Sequence, residues 1–392
     1  MSGRFKPHIN PKILVWARES ASMTIEQAAK KAGVGPARLE AFEAGTDAPT
    51  VKQLFKLSVV YQRPFGVFFL PEPPKDFDTR LKDFRRVAGA ESRPSSELQL
   101  QIRRAIVRRL TALDLYREIE GSDPPRFPVR ARLDEEPETV AARLRSHLNG
   151  SVDQESWTSP HEALRRWRAA VENAFVLVFQ APGVDPKEAR GFSISEHPLP
   201  VVVLNMKDAP RGRIFTLFHE LAHIMLNDGG LCDLDDRGTS PTHPVEAFCN
   251  RVAGASLIPK EDLLSDPGVS GQPADHEWTE EELAELSRRF WVSREAILVR
   301  LVSLDRATQE FYERKKPQFE AEHRKYQEGL EESTGGPSVP VKTVSREGGL
   351  YTRLVLNRLD AANISVSDVC DYLDFRVRHL GAIRERVFEG SS

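Results

Sequence analysis

The sequence has little cysteine, no long apolar run and no excess of charge of either sign. Its three cysteines, Cys232, Cys249 and Cys370, are odd in number, widely spaced and without a CxxC pair. That excludes a framework of bridges and fits a reducing compartment, so the protein is expected in the cytoplasm. No stretch approaches the roughly 18 apolar residues that a bilayer span needs. The segment from Met1 to Trp16 has no continuous apolar core behind its basic residues, so no secretory leader is read there. A formal net charge of −3 does not suit a protein that coats nucleic acid or an anionic membrane along its whole surface. Any basic patch is therefore local.

What is present is enough for a folded chain of several units: 392 residues, 40% of them apolar, predict two or three domains. From Pro11 to Leu70, apolar residues at helical spacing are broken at Gly33–Pro36, Gly45–Pro49 and Arg63–Pro64, which predicts a bundle of short helices over residues 1–70. Pro71, Pro73 and Pro74 mark its end. Leu98, Ile102, Ile106, Leu110 and Leu113 then predict a long amphipathic helix within a connector, 71–128. The pairs Arg103-Arg104 and Arg108-Arg109 beside that stripe read as a solvated face.

Within 129–305, a helical stretch from Glu138 to Leu148 precedes three β-prone runs, Phe175 to Phe179, Gly191 to Ser195 and Val201 to Leu204. Helices follow near Arg213–Asn227, Val245–Leu257, Glu280–Phe290 and Arg294–Leu304. The remainder, 306–392, reads as a C-terminal helical region. Gly, Ser, Pro and charge over 331–349 predict a mobile linker inside it.

The chemistry centres on His219-Glu220-Leu221-Ala222-His223. On a helix, residues four apart project within about 40° of each other, so two imidazoles at that spacing reach one ion from one face. Imidazole nitrogen suits Zn²⁺. Glu220 is rotated to the neighbouring face, where its carboxylate can take a proton from water and hand it to a leaving amine. The flanking Ile214, Phe215, Leu217, Phe218, Ile224, Met225 and Leu226 make the helix apolar nearly all round, hence buried. Burying two histidines and a glutamate is costly unless a metal compensates them, and a chance HExxH string in a core helix leaves that cost unanswered. The metzincin extension is excluded, because Leu226 and Gly229 stand where Gly and His are required. Glu246, on a mostly apolar helix with Asn250 and Ala253 on its face, is the expected third ligand. His243 and the cluster Asp233, Asp235 and Asp236 are rivals.

The run from Pro200 to Pro259, with a Val-rich strand, Arg213-x-Phe215-Thr216-Leu217 leading into HELAH, then Glu246-x-x-x-Asn250-x-x-Ala253 and Leu257-Ile258-Pro259, resembles the ImmA/IrrE family of zinc metallopeptidases. Phe290-x-Val292-Ser293-x-x-Ala296 followed by Arg300-Leu301 is similar to a further family element. The resemblance implies that His219, His223 and Glu246 bind zinc and that Glu220 is the general base. Cys249 and Val252 stand where Ala and Phe are usual. Cys249, one turn from Glu246, reads as a core filler rather than a thiol control on the metal. His243, His197 and Arg213 are open candidates for contact with substrate or with a developing oxyanion. The strand Val201 to Leu204 is either a core strand or one that pairs with an extended substrate.

Near the N-terminus, Thr24 caps a helix, Ala28 and Ala29 allow close packing, and Gly33 makes a sharp turn into a second helix. With Phe42-Glu43-x-Gly45-x-x-x-Pro49-Thr50, this resembles the lambda-repressor-like (Xre-type) helix-turn-helix. Lys30, Lys31, Arg38 and Lys52 are its candidate phosphate contacts. The start of the second helix, Gly35 to Glu40, lacks the usual base-reading side chains. The alternative use of such a domain is protein docking or a homodimer surface.

The expected fold class is therefore α+β, mainly α: a helix-turn-helix bundle, a linker helix, a zincin-like domain with a small sheet and the HExxH helix, and a C-terminal helical unit. The expected activity is a zinc-dependent regulatory endopeptidase whose protein substrate is a repressor or an antitoxin-like regulator, with no membrane partner. The competing expectation is a DNA-binding regulator or antitoxin with a structural or vestigial metal site.

Overall fold

A computed structural model describes residues 6–21, 23–61, 63, 65–74, 94–117, 119, 123–148, 154–227, 231–232, 244–332 and 336–388. It divides into two compact units, Met1–Arg104 and Ala105–Ser392. The connector expected over 71–128 is thus no unit of its own, and the region beyond residue 305 belongs to the same unit as the HExxH helix.

The first unit contains α1 (Pro11–Glu19), α2 (Ile25–Ala32), α3 (Pro36–Glu43) and α4 (Val51–Tyr61), followed by a 3-10 turn, Phe65–Phe69. Thr24 and Gln27 cap α2 reciprocally, each side chain accepting from the other's backbone amide, which satisfies two of the donors a helix start leaves open. Gly33 closes α2 at φ +66°, in the left-handed region where a side chain is strained. Pro36 then starts α3. Leu14, Ala17, Ala28, Ala29, Leu39, Phe42, Leu54 and Leu57 are fully or almost fully buried between the helices. Arg18 grips Glu43 with two parallel bonds, 2.8 and 2.9 Å, and ties α1 to α3. The expected helix-turn-helix bundle is what forms.

The boundary between the units falls inside α5 (Ser96–Arg117). Its basic pairs are not the solvated face expected of them. Arg103, Arg108 and Arg109 are each less than a tenth exposed. Arg103 donates to the Ser20 carbonyl at 2.6 Å, and Arg108 pairs with Glu347 at 2.5 Å. Arg109 gathers the carbonyls of Glu196, Pro198 and Leu199 at 2.9–3.0 Å. Every one of these partners is distant in sequence, so the local pattern could not show them.

In the second unit, α6 (Pro137–His147) and α7 (Pro160–Asn173) precede a sheet of order β1-β3-β2-β4, with β1 (Leu177–Ala181), β2 (Gly191–Ile194), β3 (Val201–Asn205) and β4 (Leu231–Cys232). β1 runs parallel to β3, and β2 is antiparallel to both β3 and β4. The three longer strands are buried throughout. Since β3 has a neighbour on both sides, Val201 to Leu204 is a core strand and cannot take an added substrate strand. The next helices are α8 (Pro210–Leu226) and α9 (Pro244–Leu257), then the short α10 (Lys260–Leu264) and α11 (Pro267–Ser270). After them come α12 (Glu280–Phe290), α13 (Arg294–Ser303) and α14 (Gln309–Glu332). The sheet, α6 to α9 and α12 to α14 share one core.

The chain ends with α15 (Val339–Glu347), α16 (Gly349–Asp360), α17 (Val366–Leu373) and α18 (Leu380–Phe388). The mobile linker expected over 331–349 is therefore wrong for most of its length: α15 packs on β1, and Glu347 is fully buried. Gln180 of β1 donates to the Ser345 carbonyl and hydroxyl at 2.8 and 2.7 Å. The amides of Gly349 and Leu350 at the start of α16 donate to the Glu172 carboxylate at 3.0 and 3.3 Å. Long-range partners hold a segment whose composition alone reads as a spacer. Among the described residues no helix is long and apolar enough to cross a membrane.

Candidate metal centre

The site is built on α8. Pro210 stands in its first turn, where the missing N–H costs nothing, and Asn227 ends it at φ +59°. Trp167 of α7 sets its edge on Phe218 at 4.8 Å between ring centres, and α9 and the sheet pack on α8 from other sides. His219 and Glu220 are fully buried and His223 is almost so. The imidazole of His219 also stacks near Phe215.

Two arginines, half-buried Arg145 and buried Arg300, fix the partner helix. Arg145 donates to the Ser256 carbonyl at 2.7 Å, and Arg300 to the Ile258 carbonyl at 3.0 Å while pairing with Glu138. They satisfy carbonyls at and beyond the C-terminal end of α9, whose last turn has no helical donors left for them. Glu246, in the first turn of α9, is thereby carried to the two rings.

The result is a tight triangle. His219 Nε2 and His223 Nε2 lie 3.1 Å apart. Glu246 Oε2 is 3.2 Å from the first and Oε1 is 3.4 Å from the second. All three ligand atoms fall within 4.8 Å of one another. Bonds of about 2.0–2.1 Å to a tetrahedral zinc put neighbouring donors roughly 3.3–3.4 Å apart, so the donor set and its spacing both fit that ion. Burial pushes the Glu246 carboxyl up, but its bonds to both rings pull harder and hold it below the ordinary carboxylate range. The Glu246 side chain keeps 23% exposure, against 0 and 4% for the rings. The centre therefore opens to solvent on its carboxylate side.

Glu220 is not one of the three. Its carboxylate lies against the first residue of β2, with Oε1 3.5 Å from the position a Cβ would take on Gly191. The sequence reading gave that glycine no role beyond opening a β-prone run. A Cβ there would stand 2.5 Å from Thr216 Cγ2 and 2.8 Å from the Val203 carbonyl oxygen, so only Gly lets α8 come this close to the sheet. A lone glycine opening a β-prone run was the available signal. α7 was passed over, although Ser159, Pro160 and the spacing of Ala163, Leu164, Trp167 and Val171 announce it.

Other candidates stand elsewhere. Arg213 is buried and donates to Gln180 Oε1. Six residues before His219, it projects about 120° away from that ring, and the protein does not turn it toward the triangle. His197, in the turn after β2, is also outside the cluster. Burial, with Arg130, Arg126 and Arg109 nearby, lowers its pKa to about 4. His243, Asp233, Asp235 and Asp236 lie outside the described residues. Cys249 is fully buried beside the site, and burial raises its thiol pKa against the opposing pull of His223.

On the first unit, Lys30, Lys31, Arg38 and Lys52 are all exposed. Lys31 pairs with Glu97 at 2.9 Å. Arg38 lies 3.6 Å from Asp47 and over the Phe42 ring. The outward residues at the start of α3 are Pro36, Ala37, Arg38 and Glu40.

A buried His-Glu-x-x-His helix completed by a carboxylate from the next helix defines a metallopeptidase-type domain, here on one chain with a helix-turn-helix. Residues 173–302, which contain Glu220 and all three cluster residues, match the family model of the IrrE N-terminal-like domain, Peptidase M78. Residues 14–68 match a helix-turn-helix family model. The two matches bear out the resemblance to the ImmA/IrrE family with an N-terminal Xre-type helix-turn-helix domain. No curated protein matches the chain.

Proposed function

We infer that the protein is a zinc-dependent regulatory endopeptidase. The observation that carries this is the triangle of His219, His223 and Glu246 at tetrahedral spacing, with the Glu220 carboxylate one residue along the same helix. The three donors would hold the ion and leave a coordination position open, as catalytic sites of this donor set do. A zinc ion supplies Lewis acidity, lowering the pKa of water toward neutrality and polarising a carbonyl. Glu220 takes the proton of the attacking water and returns it to the leaving amine. Burial of His219, Glu220 and His223 keeps those side chains out of bulk water, which strengthens each of these interactions. The substrate is a protein, a helix-turn-helix repressor or an antitoxin-like regulator, and the helix-turn-helix in cis supports a regulatory role.

Metal analysis of the purified chain and incubation with the products of adjacent genes test this together. We expect about one zinc per chain. Glu220→Gln keeps the metal and abolishes cleavage, and His219→Ala loses both. Wild type free of metal without any chelator treatment overturns the reading.

The full burial of Glu220 favours a second reading, a DNA-binding regulator whose metal is structural. Lys30, Lys31, Arg38 and Lys52 would then meet phosphates. Promoter binding that survives Glu220→Gln, with no cleavage of any co-encoded protein, selects it.

A further inference from the structure

α4 buries Leu54, Leu57, Ser58 and Tyr61 and turns a second apolar set outward. Val51, Phe55 and Val59 are 43, 58 and 61% exposed. At intervals of four they form one stripe along the helix. The stripe continues through aromatic contacts: Phe55 is 6.3 Å from Phe65, which is 5.4 Å from Phe69, ring centre to ring centre. Phe69 and Leu70 are themselves well exposed.

Scattered exposed apolar residues need no explanation, but this set is contiguous. It presents on the order of 400 Å² of apolar surface, the range in which a patch on a folded domain marks an interaction site. One side of a standard interface covers about 800 Å² and is a little more than half apolar. The patch supplies about the apolar share of one such interface.

The order of residues says what covers it. Val51, Phe55 and Val59 read the same in both directions about Phe55. Laid antiparallel on a second α4, the stripe sets Phe55 against its own copy on a two-fold axis and each Val51 opposite a Val59. Self-complementarity of this kind is what an isologous interface requires. Lys52 and Lys56, each one residue past the stripe and exposed, lie along one flank. The two-fold axis puts the lysines of both copies on the same side of the seam, clear of its apolar centre.

We propose that two copies of this chain associate through an antiparallel α4–α4 contact centred on Phe55, with the lysines forming a shared basic ridge beside it. The pairing is independent of the peptidase reading.

Sedimentation velocity of the full chain from submicromolar to about 100 µM tests it. We expect a concentration-dependent dimer that Phe55→Glu weakens at least about tenfold, as charge placed at the centre of an interface does. Far-UV circular dichroism should not change, and the melting temperature should not change at submicromolar concentration, where wild type is monomeric too, because Phe55 lies outside the core. A short thiol crosslinker reads the direction, with wild type correcting for Cys232, Cys249 and Cys370. Phe55→Cys should link to itself, and Val51→Cys should link to Val59→Cys in a mixture more than either links to itself. A monomer across the whole range, a dimer indifferent to Phe55→Glu, or preferential linkage of Val51→Cys to itself each overturns the proposal.

Discussion

Replacing Gly191 by alanine tests how closely the metal-bearing helix and the sheet are fitted. The added Cβ falls short of ordinary contact, 3.4 Å, by about 0.9 Å at Thr216 Cγ2 and by about 0.6 Å at the Val203 carbonyl oxygen. Thr216 can turn its side chain to relieve the first contact. The second is backbone of β3, so β2 must shift against its neighbour in the sheet by roughly that amount, and whatever part of the first contact Thr216 does not relieve pushes α8 away from β2. Overpacking of this size costs about 1–3 kcal/mol. Thr216 lies one turn before Glu220 on the same face, so the shift carries the proposed base with it. A displacement approaching 1 Å costs on the order of 10²-fold in rate. The imidazoles move together with α8 and keep their mutual geometry, so metal content should hold. Urea unfolding, metal analysis and cleavage rate separate the three effects. Gly254→Ala on α9 is the control, because nothing lies within 4 Å of its Cβ position and alanine in a helix is worth about 0.5–1 kcal/mol over glycine. If Gly191→Ala proves as harmless as Gly254→Ala in stability and turnover, the close approach of α8 to β2 is wrong.

Gly348→Ala should be costlier. At φ +77° and ψ 158° the position is nearly closed to other residues, and a Cβ would stand 2.5 Å from Glu172 Oε1 and 2.6 Å from the Val178 carbonyl oxygen. We expect a loss of about 3 kcal/mol or more, with faster amide exchange over Val339–Asp360. Arg108→Ala leaves the buried Glu347 carboxylate with Arg346 as its remaining ion-pair partner and should destabilise by about 3 kcal/mol, the lower end for breaking a buried pair. Arg117→Ala, which breaks the exposed pair with Asp114, should change stability by less than about 1 kcal/mol. Equal effects of those two in urea unfolding would contradict the burial of Arg108. His197 is held to a pKa of about 4 from an ordinary 6.5, so the unfolded chain binds more protons between those values. Stability is therefore full above about pH 6.5 and falls as pH drops toward 4. His197→Gln should flatten that part of the profile by on the order of 1 kcal/mol, discounted for solvent screening of a partly exposed ring. An unchanged slope would show that the ring titrates normally.

What could be read from the sequence was what is encoded locally. The pairing of His219 with His223 follows from helical periodicity, and the choice of Glu246 follows from a lone acid on an apolar helix. The capping residues of α2 and the turn at Gly33 lie within a few residues of the elements they define. Arg108 and Glu347 are 239 residues apart, and no local pattern marks either as buried. The same holds for α15: its Ser, Pro and Val composition suits a spacer, and long-range partners such as Gln180 and Arg108 make it part of the core. β3 could not be assigned from its own residues, because whether a Val-rich strand is central or free depends on β1 and β2.

The buried charges sort themselves by what answers them. Glu347 has the guanidinium groups of Arg108 and Arg346, and Glu172 has backbone amides and Arg168. Burial raises both carboxyls, and these partners work against it. Glu246 faces two imidazoles instead. Their Nε2 atoms are 3.1 Å apart, and a carboxylate oxygen lies within 3.4 Å of each. A single divalent cation would answer all three donors together. Removing one donor should therefore release the metal rather than weaken an ion pair. Glu246→Gln keeps the size and polarity of the side chain, and it should lower zinc affinity while leaving the fold intact. If Glu246→Gln instead bound zinc as tightly as wild type in competition with a chromogenic chelator, the carboxylate would not be a ligand.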